Sequence, residues 1–174
     1  MKKLVFLIAA AALAAPFAAL AADPASSEGP NPAQACSTER TQIGAGPFRD
    51  LYGTPPNKSN AFGKCVAKKA AQQQENHTNA ARECRAEQSD PNFTATHDNK
   101  TFEQFYGSGK NAFGKCVSSK AKAENQADQT AEVNAAKQCK RERTTDPDAF
   151  KTKYGTKPNA FGKCVAQKAK QQQQ

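Results

Sequence analysis

One heptapeptide, Asn-Ala-Phe-Gly-Lys-Cys-Val, occurs three times without change, at residues 60–66, 111–117 and 159–165. Exact self-similarity at a long period means that one supersecondary unit is used repeatedly, and no other feature narrows the possible folds as much. The cysteines of the motif, Cys65, Cys116 and Cys164, are spaced by 51 and then 48 residues. Upstream of each motif stands a Phe-x-x-x-Tyr-Gly element: Phe48/Tyr52/Gly53, Phe102/Tyr106/Gly107 and Phe150/Tyr154/Gly155. Further upstream lies a second cysteine, in Asn-Ala-Ala-Arg-Glu-Cys84, in Asn-Ala-Ala-Lys-Gln-Cys139, and in a degraded copy ending at Cys36. Downstream, Lys69-Ala70, Lys120-Ala121 and Lys168-Ala169 continue the match. The chain divides accordingly into a leader at 1–21 and units at 22–78, 79–133 and 134–174.

The leader has three physical zones. Lys2 and Lys3 are positive, residues 4–15 are apolar, and Ala19-Leu20-Ala21 offers the small-x-small pattern that a signal peptidase accepts. The expectation is cleavage after Ala21 and a secreted or periplasmic product. The competing reading is a retained anchor, because the apolar run from 4 to 22 approaches the ~20 residues that span a bilayer. The alanine content and the cleavage pattern favour removal, so no transmembrane segment is expected in the mature chain.

Cleavage leaves 153 residues and lowers the net charge from +9 to +7, because two lysines and no acids depart. That mature chain holds only 14 Leu, Ile, Val and Phe residues, about 9%. Such a share, with this charge, normally marks disorder, since the burial it allows does not offset the entropy of ordering the chain. Six regularly placed cysteines in an exported chain alter that conclusion, because covalent staples substitute for core.

The stretches from 60 to 88 and from 111 to 145 contain no proline, and their only glycine is that of the motif. They are rich in Ala, Gln, Lys, Glu and Arg, the strong helix formers. Asn60, Asn111 and Asn159 are placed as N-caps. Asp146-Pro147 opens a short helix that runs to Tyr154, with Gly155 as its stop. The Phe/Tyr pairs stand at i,i+4, so each short helix carries one aromatic face. Strand signals are missing. The expected fold is all-α, with three helix–loop–helix repeats joined by long helices and one disulfide per repeat. On one helix, Cys65 and Cys84 would be about 28 Å apart and Cys116 and Cys139 about 35 Å. A disulfide requires Cα atoms within about 7 Å. The simplest remaining pairing is Cys36–Cys65, Cys84–Cys116 and Cys139–Cys164.

The motif resembles one carried by a family of uncharacterised exported bacterial proteins with Asn-Ala-Phe-Gly-Lys-Cys-Val repeats, and the likeness covers all three units. It implies export and repetition, and no activity. Within the motif, Phe62, Phe113 and Phe161 are expected as core plugs. Gly63, Gly114 and Gly162 are expected to permit close backbone approach beside the disulfides, the alternative being a role facing a ligand. Lys64, Lys115 and Lys163 sit in a first helical turn, the unfavourable end of the dipole for a cation. Their recurrence makes them the candidate anion-binding residues, against the plainer reading of copied exposed lysines.

The sequence carries no familiar catalytic motif. His77 and His97 stand in dissimilar contexts and read as solvated side chains, so neither a triad nor a histidine metal site is expected. The cysteines lack C-x-x-C spacing, and no nucleotide loop, nucleophile elbow or paired-carboxylate motif is present. The expectation is a non-enzymatic structural or interaction protein without a cofactor. The basic excess favours anionic envelope or extracellular polymers, without specific nucleic-acid recognition. The alternative is a secreted effector or inhibitor on a disulfide scaffold.

Overall fold

The computed structural model describes residues 31–107 and 111–173, so the leader at 1–21 and its cleavage site lie outside the described residues. The described residues form eight helices and no strand, as the sequence predicts. In the first unit, α1 (Pro32–Ile43) turns at Gly44 into α2 (Ala45–Tyr52), and α3 (Ala61–Gln88) follows. The second unit runs from the end of α3 through α4 (Phe93–Thr96) and α5 (Phe102–Tyr106) into α6 (Ala112–Thr145). The third runs from the end of α6 through α7 (Pro147–Tyr154) into α8 (Ala160–Gln171). Consecutive units therefore share a long helix.

Local chemistry explains the ends of the helices. Asp146 accepts a hydrogen bond from the Ala149 N–H at 2.9 Å, Pro147 fills the first turn, and the Gly155 N–H closes α7 on the Lys151 carbonyl. Thr101 and Gln104 form a reciprocal capping box on α5. Asn60, Asn111 and Asn159 occupy the predicted N-cap positions, but none of their side chains caps its helix. Asn60 instead accepts from the Thr54 N–H at 2.9 Å and ties down the loop in front of α3.

The three disulfides are Cys36–Cys65, Cys84–Cys116 and Cys139–Cys164, each with Cα atoms 6.0 Å apart. All six sulfurs are buried. The i,i+4 aromatic pairs share a face as expected, packing tilted with ring centroids 5.0 Å apart for Phe48/Tyr52, 4.9 Å for Phe102/Tyr106 and 4.8 Å for Phe150/Tyr154.

The long helices fold back on each other. Cys84 faces Cys116, Asn76 donates to Asn125 at 2.9 Å, and Lys69 reaches Glu132, so α3 and α6 run antiparallel. The interior then splits. The first and third units merge into one core that includes Ile43, Phe48, Tyr52, Val133, Phe150, Tyr154, Phe161 and Val165. The second unit keeps its own core around Phe93, Phe102 and Val117. Between them the helices meet through amides and charges rather than apolar side chains.

Two expectations about the motif are corrected. Phe161 is buried as a plug, but Phe62 is 39% exposed and Phe113 only half-buried. Of the three motif phenylalanines only Phe161 is buried. The glycines do not mark close approach either. A Cβ at Gly63 or Gly114 would meet nothing within 4 Å, and at Gly162 only the Leu51 carbonyl at 3.9 Å. His97 is also not simply solvated: its ring stacks on Phe93 with centroids 3.8 Å apart. Both lie in the segment between Cys84 and Phe102, which are 18 positions apart, against 12 and 11 in the other units. That insertion gives the second unit the extra aromatic ring it needs to build a core alone.

Candidate functional site

Each unit carries a polar clamp built from three residues. The first cysteine is followed at i+3 by a glutamate: Glu39, Glu87 and Glu142. The second is followed at i+4 by a lysine: Lys69, Lys120 and Lys168. On a helix both offsets return the side chain to the face that carries the cysteine. The disulfide therefore brings glutamate and lysine together, and the tyrosine of the short helix completes the set. Tyr52 donates to Glu39 at 2.8 Å, Tyr106 to Glu87 at 2.7 Å and Tyr154 to Glu142 at 3.3 Å. The ion pairs are Lys69–Glu39 at 3.2 Å, Lys120–Glu87 at 2.8 Å and Lys168–Glu142 at 2.6 Å.

Burial grades these clamps. Glu39 is fully buried and Lys69 nearly so, and α6 adds Glu132, which pairs with both Lys68 and Lys69. Burial and the nearby Glu132 charge push the Glu39 carboxyl above the ordinary range. Burial also opposes charge on Glu132 and Lys69, but their mutual attraction wins, lowering the first and raising the second. Two acids sharing one buried lysine explain why Glu39, with the weaker hold on it, gives way. In the other units the clamps are partly exposed, and Lys120 and Lys168 hold Glu87 and Glu142 below the usual carboxylate range. These clamps consume acids internally, and their arrangement is architectural.

The candidate anion-binding lysines lie elsewhere. Lys64, Lys115 and Lys163 are exposed in the first turns of α3, α6 and α8, and none pairs with an acid among the described residues. Lys64 and Lys163 flank the shared core, each beside a cysteine of that core. Lys115 stands at the other end of α6, about 35 Å from the Cys139 that bonds Lys163's neighbour. Lys115 is therefore set apart from the other two. Lys115 also has a local contact: its side chain lies across Gly107, where a Cβ would come within 2.5 Å of Nζ. The φ of Gly107, +112°, independently requires glycine.

The fold creates one concave basic feature that no sequence spacing announces. Where the first and third units meet, a cleft of about 470 Å3 is walled by Lys58, Arg143, Lys151 and Lys157, with Asp50 as the one acid. Asp50 bridges the units, accepting from Lys58 at 2.6 Å and from Arg143 at 2.7 Å. Burial raises the Asp50 carboxyl less than these two cations lower it, so it stays ionised. The Arg143 guanidinium lies over the Phe161 ring at 4.6 Å, and Phe150, Pro147 and Pro158 supply apolar wall. An adjoining cleft of about 290 Å3 continues past Asn159 and Gly162, so the third motif glycine does face a recess. Gly63 and Gly114 face open space.

Among the described residues no cluster of His, Cys, Asp and Glu is arranged to hold a metal, and no helix is long and apolar enough to cross a membrane. No family model, curated protein or solved structure matches the chain.

Proposed function

We propose that this chain is an exported, non-enzymatic interaction protein that holds anionic envelope or extracellular polymers on a disulfide-stapled helical scaffold. Export is supported by the basic, apolar and small-residue zones of the leader and by three formed disulfides, which persist in oxidising compartments. The observation that carries the binding reading is the segregation of charge. Glu39, Glu87, Glu132 and Glu142 are drawn into clamps, whereas Lys64, Lys115 and Lys163 stay exposed and unpaired by acids among the described residues. A net charge of +7 on the mature chain is thus displayed outward. Basic positions at the two ends of α6, about 35 Å apart, suit a long polymer better than a compact ligand.

Retention on immobilised heparin across a salt series tests this reading. The expected result is earlier elution of a K64Q/K115Q/K163Q variant than of a K100Q/K122Q/K170Q control, with a shallower dependence on salt. Lys68 is unsuitable for the control because Glu132 holds it. Equal losses would reduce the interaction to total charge, and no retention of the parent at low salt would overturn the reading.

A further inference from the structure

We propose that the cleft between the first and third units is a binding site for a small organic anion, a carboxylate or phosphate head carried on a flat apolar body. This inference is independent of the polymer reading, because it uses none of the three motif lysines. Four cations and one acid line the cleft, an excess of three positive charges gathered from the loop before α3, the end of α6, α7 and the loop before α8. Two of those cations are fixed in place. Lys58 donates to Asp50 Oδ1 and Arg143 to Asp50 Oδ2, so one carboxylate orients both against the wall. The other two remain available. Lys151 is engaged only by Asp148, an exposed i,i+3 partner that competes weakly with a ligand, and Lys157 has no ion pair among the described residues.

The rest of the wall is apolar. The exposed Pro147 and Pro158 rings, backed by the buried Phe150 and Phe161, offer surface against which a bare phosphate ion gains nothing. At about 470 Å3 the cleft falls within the roughly 300–1,000 Å3 of ordinary small-molecule sites. Its chemistry thus selects two features in one molecule, an anionic head for Lys151 and Lys157 and a flat body for the rings.

Calorimetric titration at low salt with phenyl phosphate, benzoate, inorganic phosphate and benzyl alcohol tests both features. Phenyl phosphate or benzoate is expected to bind with one site per chain, and whichever binds more tightly identifies the head. Inorganic phosphate and benzyl alcohol, each lacking one feature, are expected to bind about tenfold or more weakly. A K151Q/K157Q variant should lose about fivefold or more, as two exposed charges at low salt allow, whereas a K100Q/K122Q variant keeps parental affinity. Melting curves of both variants confirm that they are folded. Equal affinity for phosphate and phenyl phosphate, equal losses in both variants, or no heat with any compound overturns the proposal. The polymer reading fails separately: a K64Q/K115Q/K163Q variant should bind phenyl phosphate normally, and the cleft variant should elute from heparin no earlier than K100Q/K122Q.

Discussion

Lys69 and Lys120 occupy the same place in their units and make the same two kinds of contact, yet their surroundings differ. Lys69 is 5% exposed and neutralises two buried acids, Glu39 and Glu132. Lys120 keeps about a quarter of its side chain in water beside Glu83 and Glu87. Breaking a buried pair leaves an uncompensated charge, so Lys69→Met should cost about 3–5 kcal/mol of unfolding free energy. The same change at the exposed site, Lys120→Met, should cost roughly 1 kcal/mol or less. Denaturant titrations of the two variants measure the difference, and equal losses would show that burial does not grade the clamps. These lysines were visible in the sequence as part of the repeat. Their glutamate partners are marked less openly, by a Cys-x-x-Glu pattern at all three first cysteines. The signal was present, and its meaning required knowing that each disulfide sets the two cysteine faces against each other.

Among the elements, α6 has the central position. Its first turns belong to the second core and its last turns to the core shared by the other two units. The middle of the α3–α6 contact is polar, with Asn76 donating to both Asn125 and Asp128. Such a join sets register but adds little apolar cohesion, so the second unit depends on its own aromatic cluster and on Cys84–Cys116. That bond spans 32 residues, and its removal should cost about 3–4 kcal/mol in the chain-entropy model. In a C84S/C116S variant, hydrogen exchange should accelerate in α4, α5 and the adjoining ends of α3 and α6. The last turns of α6 and all of α8 should stay protected. Uniform acceleration along the chain would mean that the two cores unfold as one unit.

At the scale of the whole molecule, the shifted groups set the pH range of stability. Glu132, Glu87, Glu142 and Asp50 all titrate below their ordinary values of 4.5 or 3.8. Each contributes stability that is complete above its unfolded value and lost as pH falls through the folded one. Glu39 works in the opposite sense, its contribution fading as pH climbs from 4.5 through its raised value. At the alkaline end, burial and the Glu87 hydrogen bond push Tyr106 up to about 12, and the Glu87 hydrogen bond raises Lys120. Their contributions hold below the unfolded values of 10.0 and 10.5 and are lost above them as pH rises. The melting temperature should therefore be highest between 4.5 and 10.0, because four lowered carboxylates outnumber the two raised ones, Glu39 and Glu124. Tyr106 phenolate absorbance should appear near pH 12, and that of Tyr52, raised further by burial and two glutamates, only on unfolding. A melting maximum below pH 4 would contradict this balance.

The sequence by itself determined the helical class and the repetition, and it excluded the pairings Cys65–Cys84 and Cys116–Cys139, leaving the observed set as the simplest one. These follow from local rules: helix propensity, the rise per residue along a helix, and the short reach of a disulfide. Only the tertiary structure decided which units share a core, because three copies of one heptapeptide meet three different neighbours. Phe161 is buried under Arg143 while the identical Phe62 faces water, and no pattern within the motif distinguishes them. The cleft has the same origin. Lys58, Arg143, Lys151 and Lys157 come from separate segments of the chain, and they converge because the antiparallel return of α6 brings the third unit against the first.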